Sequence, residues 1–251
     1  MTRIMAIETS GRIGSVAVAL GPQLIAEQDF TAQLKHGAQL LPTMERLCQS
    51  QGWQPAEIEH LYVSVGPGSF TGIRIAVTVA KILAFSQNTK IVPVPSLEAL
   101  ALNAEKAGQN EKLDIGQVAV VLEAGRGQIF AAVFDRKTMN AKDDSAGFVP
   151  GFRINLAQTM ISPTELLERT KRPLYLTGEG LKYHQQELSP NEQDRQIIRL
   201  DEKYWQPRAA NVHRCGLLRA QKGLFATADQ LKPSYIRRPE AVEKWEKLHR
   251  L

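Results

Sequence analysis

Gly66-Pro67-Gly68-Ser69-Phe70-Thr71-Gly72-Ile73-Arg74 is the stretch whose reading decides the fold. Leu61 to Val65 before it is short, mostly apolar and β-branched, which predicts a buried strand. Ile73 to Phe85 after it carries Ile73, Val77, Ala80 and Ala84 at helical spacing, with further apolar residues around them. That predicts a buried helix. The run is therefore a glycine-rich turn from strand to helix. Such a turn can offer unpaired backbone N–H groups and a helix N-terminus to an anion. It can equally be a corner so tight that only glycine fits. Both readings stay open on the sequence. Two phosphate loops are excluded. A Walker A loop ends in Gly-Lys-Ser/Thr, and this one ends in Gly72-Ile73-Arg74. The dinucleotide fingerprint has its third glycine one place earlier than Gly72.

Upstream of the turn, Arg3 to Ile7, Ser15 to Leu20 and Leu24 to Phe30 read as three strands of an antiparallel meander, joined at Gly11–Gly14 and Gly21-Pro22. Gly37 to Ser50 has helical spacing at Leu40, Leu41, Met44, Leu47 and Cys48, with Pro42 in the first turn or at a kink. Downstream, a strand at Ile91 to Val94 and a helix from Ser96 complete an α/β lobe over residues 1–104. The polar run Glu105 to Asp114 reads as the link to a second lobe, residues 105–232.

That second lobe starts over in the same way. Ala6-Ile7-Glu8-Thr9-Ser10-Gly11-Arg12 and Val121-Leu122-Glu123-Ala124-Gly125-Arg126 each show a strand ending in Glu, a Gly-Arg turn, and then an apolar returning strand. A duplication predicts two similar lobes facing a cleft, with Glu8 and Glu123 at equivalent strand ends. Further on, Ser162-Pro163-Thr164-Glu165 is a capping box with proline at the first helical position. Leu174 to Thr177 and Ile197 to Leu200 read as strands, and Ala209 to Lys222 as a helix. Residues 233–251 form a basic tail with a last helix opening at Pro239.

The 251 residues are 43% hydrophobic and 23% charged, as in an ordinary globular protein, and carry a net charge of +5. The basic excess is compatible with an RNA-associated role, but the charges of the tail read first as a solvated helix face of alternating sign. Two isolated cysteines, Cys48 and Cys215, make neither a disulfide framework nor a zinc site. No signal peptide precedes Glu8 and no window approaches a membrane span, so a cytoplasmic protein is expected.

Four segments together resemble one family. They are Met5 to Ser10, His36-Gly37-Ala38-Gln39-Leu40-Leu41-Pro42, Gly66 to Arg74, and Pro233-Ser234-Tyr235-Ile236-Arg237. In that order and at those separations they resemble the TsaB (YeaZ) family of bacterial tRNA threonylcarbamoyladenosine biosynthesis proteins. The resemblance is strong over residues 1–100 and weak over 136–230. It implies the two-lobed α/β fold of the actin, sugar-kinase and heat-shock ATPase group. It also implies a required, non-catalytic partner of the catalytic paralogue TsaD and the small ATPase TsaE. Together these transfer threonylcarbamoyl to the adenosine beside the tRNA anticodon, so tRNA is met through the complex. The catalytic relatives hold a metal with two histidines four residues apart. Here those places are Ser96 and Leu100, and no metal is expected. The family's strand-end Asp residues are Glu8 and Glu123 here, and Gln128 stands where an acid is usual. No cofactor is therefore assigned to this chain, while ATP with Mg²⁺ remains open for the complex.

Several residues carry two readings. Glu8 and Glu123 are a Mg²⁺–water pair in the cleft or caps on their own turns. Gly66, Gly68, Ser69 and Gly72 hold a phosphate or shape a corner, Ser69 then being an N-cap. Arg74 reaches the cleft, a partner or a neighbouring acid. By resemblance, the helices bearing His36, Leu41, Met44, Arg74 and Val77 form the surface that meets a second copy or the paralogue. The other reading buries the apolar residues within the lobe and makes His36 an ordinary loop histidine holding the helix start. An autonomous nucleotide-binding ATPase or peptidase-like enzyme of the same fold is the competing function.

Overall fold

The computed structural model describes residues 1–31, 36–137, 149–188 and 196–237, the side chains of Thr31 and His36 excepted. Most of the polar stretch 140–150 and the helix expected from Pro239 lie outside the described residues.

The first sheet has the order β3-β2-β1-β4-β5. Its strands are β1 (Arg3–Glu8), β2 (Ile13–Leu20), β3 (Gln23–Thr31), β4 (His60–Ser64) and β5 (Lys90–Val94). The meander β1–β2–β3 is antiparallel, while β4 runs parallel to both β1 and β5. The second sheet is built from β6 (Gln117–Gly125), β7 (Gln128–Arg136), β8 (Phe152–Ile161), β9 (Leu174–Thr177) and β10 (Ile197–Arg199). Its order is β8-β7-β6-β9-β10, with antiparallel and parallel pairings in the same places. The duplication read from one short match therefore extends through both sheets, strand for strand.

Period-two burial sorts the core into layers. Met5 and Ile7 of β1 face α1 (His36–Ser50) and α2 (Phe70–Gln87), packing with Leu40, Met44, Leu47, Ile73 and Val77. Ile4 and Ala6 point the other way. They join a central cluster with α3 (Ser96–Glu111), α5 (Ala209–Gln221) and the β6 residues Val118, Val120 and Leu122. Ala119 and Val121, on the opposite face of β6, pack with Leu166 of α4 (Pro163–Glu168), Leu181 and Trp205.

Helices and sheets do not pair in chain order. α3 follows the first sheet but packs on β6, β7 and β9, while α5 follows the second sheet and packs on β1, β2, β4 and β5. The two helices also pack on each other. Burial on all sides explains why Ser96 through Ala104 of α3 are all buried.

Several expectations are corrected. The polar run from Glu105 is not a link: α3 continues to Glu111 because Ala104 and Ala107 extend its buried stripe beneath a polar outer face. The connection to β6 is only the stretch 112–116. α2 begins at Phe70, three residues before Ile73, with Ser69 as N-cap. It is also long and apolar enough by composition to cross a membrane, contrary to the expectation that no window approaches a span. It lies on the first sheet with only one face buried, Gly72, Ile73, Ala76, Val77 and Ala80, while Ile82 and Phe85 are exposed, so the expectation of a helix buried as a whole does not hold. The capping box at Ser162 is present, the Glu165 N–H donating to Ser162 Oγ at 3.1 Å.

Candidate interlobe cleft

The glycine turn is fastened from inside. The Ser96 hydroxyl meets that of Ser64 at 2.6 Å and accepts from the Gly66 N–H at 3.1 Å. Ser69 N–H donates to the Ser10 carbonyl at 2.7 Å, and Gly72 N–H donates to Ser69 Oγ at 3.2 Å. Thr9 Oγ1 donates to the Gly72 carbonyl at 2.9 Å. The N–H groups of Gly66, Ser69 and Gly72 thus have partners within the protein. The turn is also pressed onto the β1–β2 connection. A Cβ on Gly68, whose φ is +149°, would stand 2.5 Å from the Ser10 carbonyl oxygen, and one on Gly72 only 2.0 Å from that of Thr9. The geometry has the features of the tight corner.

The two strand-end carboxylates occupy equivalent places in different surroundings. Glu8 is fully buried, its Oε1 accepting from Ser10 N–H at 2.5 Å. Burial pushes its carboxyl above the usual range, with the Ser10 and Ser64 hydroxyls and the Ser10 and Thr9 amides pulling the other way. Glu123 is partly open. Its Oε1 accepts from Gly125 N–H at 2.7 Å and its Oε2 meets His184 Nε2 at 2.8 Å. Each carboxylate therefore caps its own turn, and only Glu123 keeps an exposed edge.

The sequence reading missed the second lobe's counterpart of the glycine turn. Gly178-Glu179-Gly180 follows β9 as Gly66-Pro67-Gly68 follows β4, and a Cβ on Gly178 would lie 2.2 Å from the Val121 carbonyl oxygen. The available signal was the same Gly-x-Gly directly after a short apolar strand.

Two clefts result, related by the duplication. In one, the β1–β2 turn of the first lobe faces the Gly178 turn of the second. Arg12 crosses it to the Tyr183 hydroxyl and to Glu179, the latter at 3.8 Å. In the other, the Gly66 turn faces the β6–β7 turn across a cavity of about 850 Å³. Pro233 to Arg237 straps this second cleft. Ser234 N–H donates to the Val65 carbonyl at 2.7 Å, Gln158 Nε2 donates to Ser234 Oγ at 3.1 Å, and Arg237 Nη1 donates to the Ala124 carbonyl at 2.7 Å. The cavity gathers Gly68, Arg74, Gly125 and Arg126, but not Glu8 or Glu123.

The candidate interface residues divide by burial. Met44 and Val77 lie in the core, whereas Leu41 and Arg74 face outward. The His36 side chain lies outside the described residues. Beside Leu41, the outer face of α2 exposes Ile82 and Phe85 at 59% and 92%.

Fold and clefts together define a two-lobed α/β protein of duplicated plan. The family described as TsaD, tRNA N6-adenosine threonylcarbamoyltransferase, matches residues 30–245, and the chain belongs to it. Its curated relatives include the tRNA threonylcarbamoyladenosine biosynthesis protein TsaB of Bacillus subtilis, 28% identical over 242 residues, 96% of this chain and 97% of that protein. The TsaB protein of Escherichia coli is 28% identical over 134 residues, 53% of this chain and 55% of that protein. Among solved structures, YeaZ from Pseudomonas aeruginosa superposes with a TM-score of 0.73 at 21% identity, covering 94% of this chain and all of that one.

Proposed function

We propose that this chain is a non-catalytic partner subunit in tRNA threonylcarbamoyladenosine biosynthesis. It acts in the cytoplasm with a TsaD-like transferase and a TsaE-like ATPase, and meets tRNA through that complex. One observation carries the reading. By resemblance, the transferases hold their metal at the two positions that are Ser96 and Leu100 here. The Ser96 hydroxyl is engaged with Ser64 and Gly66, and Leu100 is a fully buried apolar side chain. This pair does not fit a transition metal.

The outward face of α1 and α2 supports the partner role. Leu41, Ile82 and Phe85 are large apolar side chains on adjacent packed helices. A second copy would use this face when the chain is alone, and the transferase would use it in the complex.

The test is threonylcarbamoyl transfer to tRNA by purified TsaD-like and TsaE-like proteins, with and without this chain, beside this chain alone with ATP. Transfer that requires this chain, with no ATP turnover by it alone, is expected. Full transfer without it, or ATP turnover by the isolated chain, would overturn the reading in favour of an autonomous enzyme.

A further inference from the structure

We propose that Pro233 to Arg237 is a releasable clamp, an arm carried by the first lobe that hooks the second and sets the opening of the cleft between the Gly66–Arg74 turn and the β6–β7 turn. The chain reaches this place along the first lobe. After α5, Ala226 N–H donates to the Ile91 carbonyl at 2.9 Å, on the edge strand of the first sheet. Leu231 is 1% exposed and packs in the cluster that holds Leu40, Leu61 and Ile73. Ser234 N–H then donates to the Val65 carbonyl at 2.7 Å, and a Cβ on Gly66 would stand 3.0 Å from the Ser234 carbonyl oxygen. Tyr235 stacks on Phe70, with centroids 5.1 Å apart and planes at 27°. The arm is thus rooted in one lobe.

The catch is in the other lobe. Ser234 Oγ accepts from Gln158 Nε2 of β8 at 3.1 Å, and Arg237 Nη1 donates to the Ala124 carbonyl of β6 at 2.7 Å. Ser234 therefore bonds both lobes at once, by its N–H on one side and its hydroxyl on the other. The hooked end is held less deeply than the root. Ser234, Ile236 and Arg237 are half-buried and Tyr235 is exposed, whereas Leu231 is buried. Beneath the hooked end lies a cavity of about 850 Å³. A segment with partly exposed hydrogen bonds and little buried apolar surface opens more readily than the core.

The duplication supplies an internal comparison, because the counterpart cleft closes in another way. There Gly11 lies so near Pro207 that a Cβ would stand 2.9 Å from the proline ring, and Arg12 crosses to Tyr183 and Glu179. The cavity on that side is about 410 Å³, half as large. One side of the molecule is thus held shut by the lobes themselves. On the other, two turns face each other across the larger cavity and a separate segment spans the gap. Such a segment fixes the separation of the lobes while it is hooked and frees it once released. The hooked and released states differ by few contacts, so a small bias shifts the balance between them. Release moves the β6–β7 turn away from the Gly66 turn. The central cluster, where α3 and α5 pack against each other and against both sheets, is then the joint.

Electron–electron double resonance on the purified full chain reads the opening as a distance. Spin labels go on Thr71→Cys in α2 and Ala157→Cys in β8, one exposed site on each lobe. The native Cys48 and Cys215 are buried, out of reach of the labelling reagent. The labelled parent should show one dominant distance, that of the hooked state, with a minor longer one. Ser234→Ala, Tyr235→Ala and Arg237→Ala each cut one of the ties described, and each should raise the longer population about fivefold. Lys232→Ala, exposed in the same segment, should match the parent. Circular-dichroism melts establish that each variant folds, and separate ties keep the test decisive if one variant does not. Unchanged distances in the folded clamp variants would make the strap a passive covering and overturn the inference. Equal lengthening in Lys232→Ala would overturn it too, as a general loosening of the segment. The partner role is read by threonylcarbamoyl transfer instead, so either can fail alone.

Discussion

Glu8 and Glu123 make the same hydrogen bond in the two lobes, each Oε1 accepting the N–H of the residue two places on, Ser10 and Gly125. The duplicated plan therefore survives at the level of a single side-chain contact. Its context does not. Glu8 faces Ser15 across its hairpin and Glu123 faces Ile129, so the second turn is one residue shorter. Glu8 is sealed beneath the Gly66 turn, whereas Glu123 meets His184.

Burial raises the Glu8 carboxyl above its unfolded value, so the fold binds the proton more tightly than the unfolded chain does. The sign follows. The associated stability is fully present below the unfolded pKa and is lost as pH rises through the folded one. Glu8→Gln retains an acceptor for Ser10 N–H without a charge to bury. Thermal melts from pH 4 to 8 should show the variant gaining on the parent as pH rises. A constant difference across that range would refute the account.

His213 runs the opposite way. Burial, aided by Arg214, lowers its pKa, and the hydrogen bond to the Gly21 carbonyl raises it less. Nε2 donates that bond at 2.8 Å, while Nδ1 is buried without a partner, so protonation would bury an unpaired N–H. The stability this contributes is present above the unfolded value near 6.5 and is lost as pH falls below it. An NMR titration of the imidazole should give a midpoint below 6.5; a midpoint above it would contradict the structure.

Gly72 tests the packing of the turn. Alanine ordinarily favours a helix over glycine by about 1 kcal/mol. Here its Cβ would meet the Thr9 carbonyl at 2.0 Å, so Gly72→Ala should instead destabilise by about 1–3 kcal/mol in urea unfolding. Gly116→Ala, where no atom lies within 4 Å of the added carbon, should be near neutral and serves as the control. Ser96→Ala removes the partner of both Ser64 and the Gly66 N–H, and should cost about 1–3 kcal/mol.

Local pattern carried the reading of this fold as far as local pattern reaches. The glycine turn, the meander and the capping box at Ser162 each rest on a few neighbouring residues, and each is present in the structure. The repeat of β1–β2 in β6–β7 was legible because turn chemistry and apolar alternation coincide there. The strand β8 was missed although Phe152, Ile154, Leu156 and Met160 alternate, because polar residues and one half-buried face blur the pattern. The exchange of α3 and α5 between the sheets was not legible at all. It depends on which surface covers a helix, and a sequence buried on all sides does not name its neighbours. For the cleft, glycine spacing located the turn, but the absence of carboxylates among the described lining residues emerges only when residues 67–74, 124–130 and 234–237 are brought together.

The partner surface is tested by residues that point outward, because its buried candidates would report folding instead. Met44→Glu or Val77→Glu would place a charge in the core beneath α1 and α2, and should unfold the chain. Phe85→Glu changes a side chain that is 92% exposed, and Leu41→Glu one that is 55% exposed. Surface changes of this kind shift stability by only about 0.5 kcal/mol, so both variants should melt like the parent. If one face serves a second copy and the transferase in turn, light scattering should show weakened self-association in both variants. Pull-down with the TsaD-like protein should then weaken in parallel. Loss of one assembly with the other intact would separate the two surfaces, and loss of neither would remove the α1–α2 face from the interface.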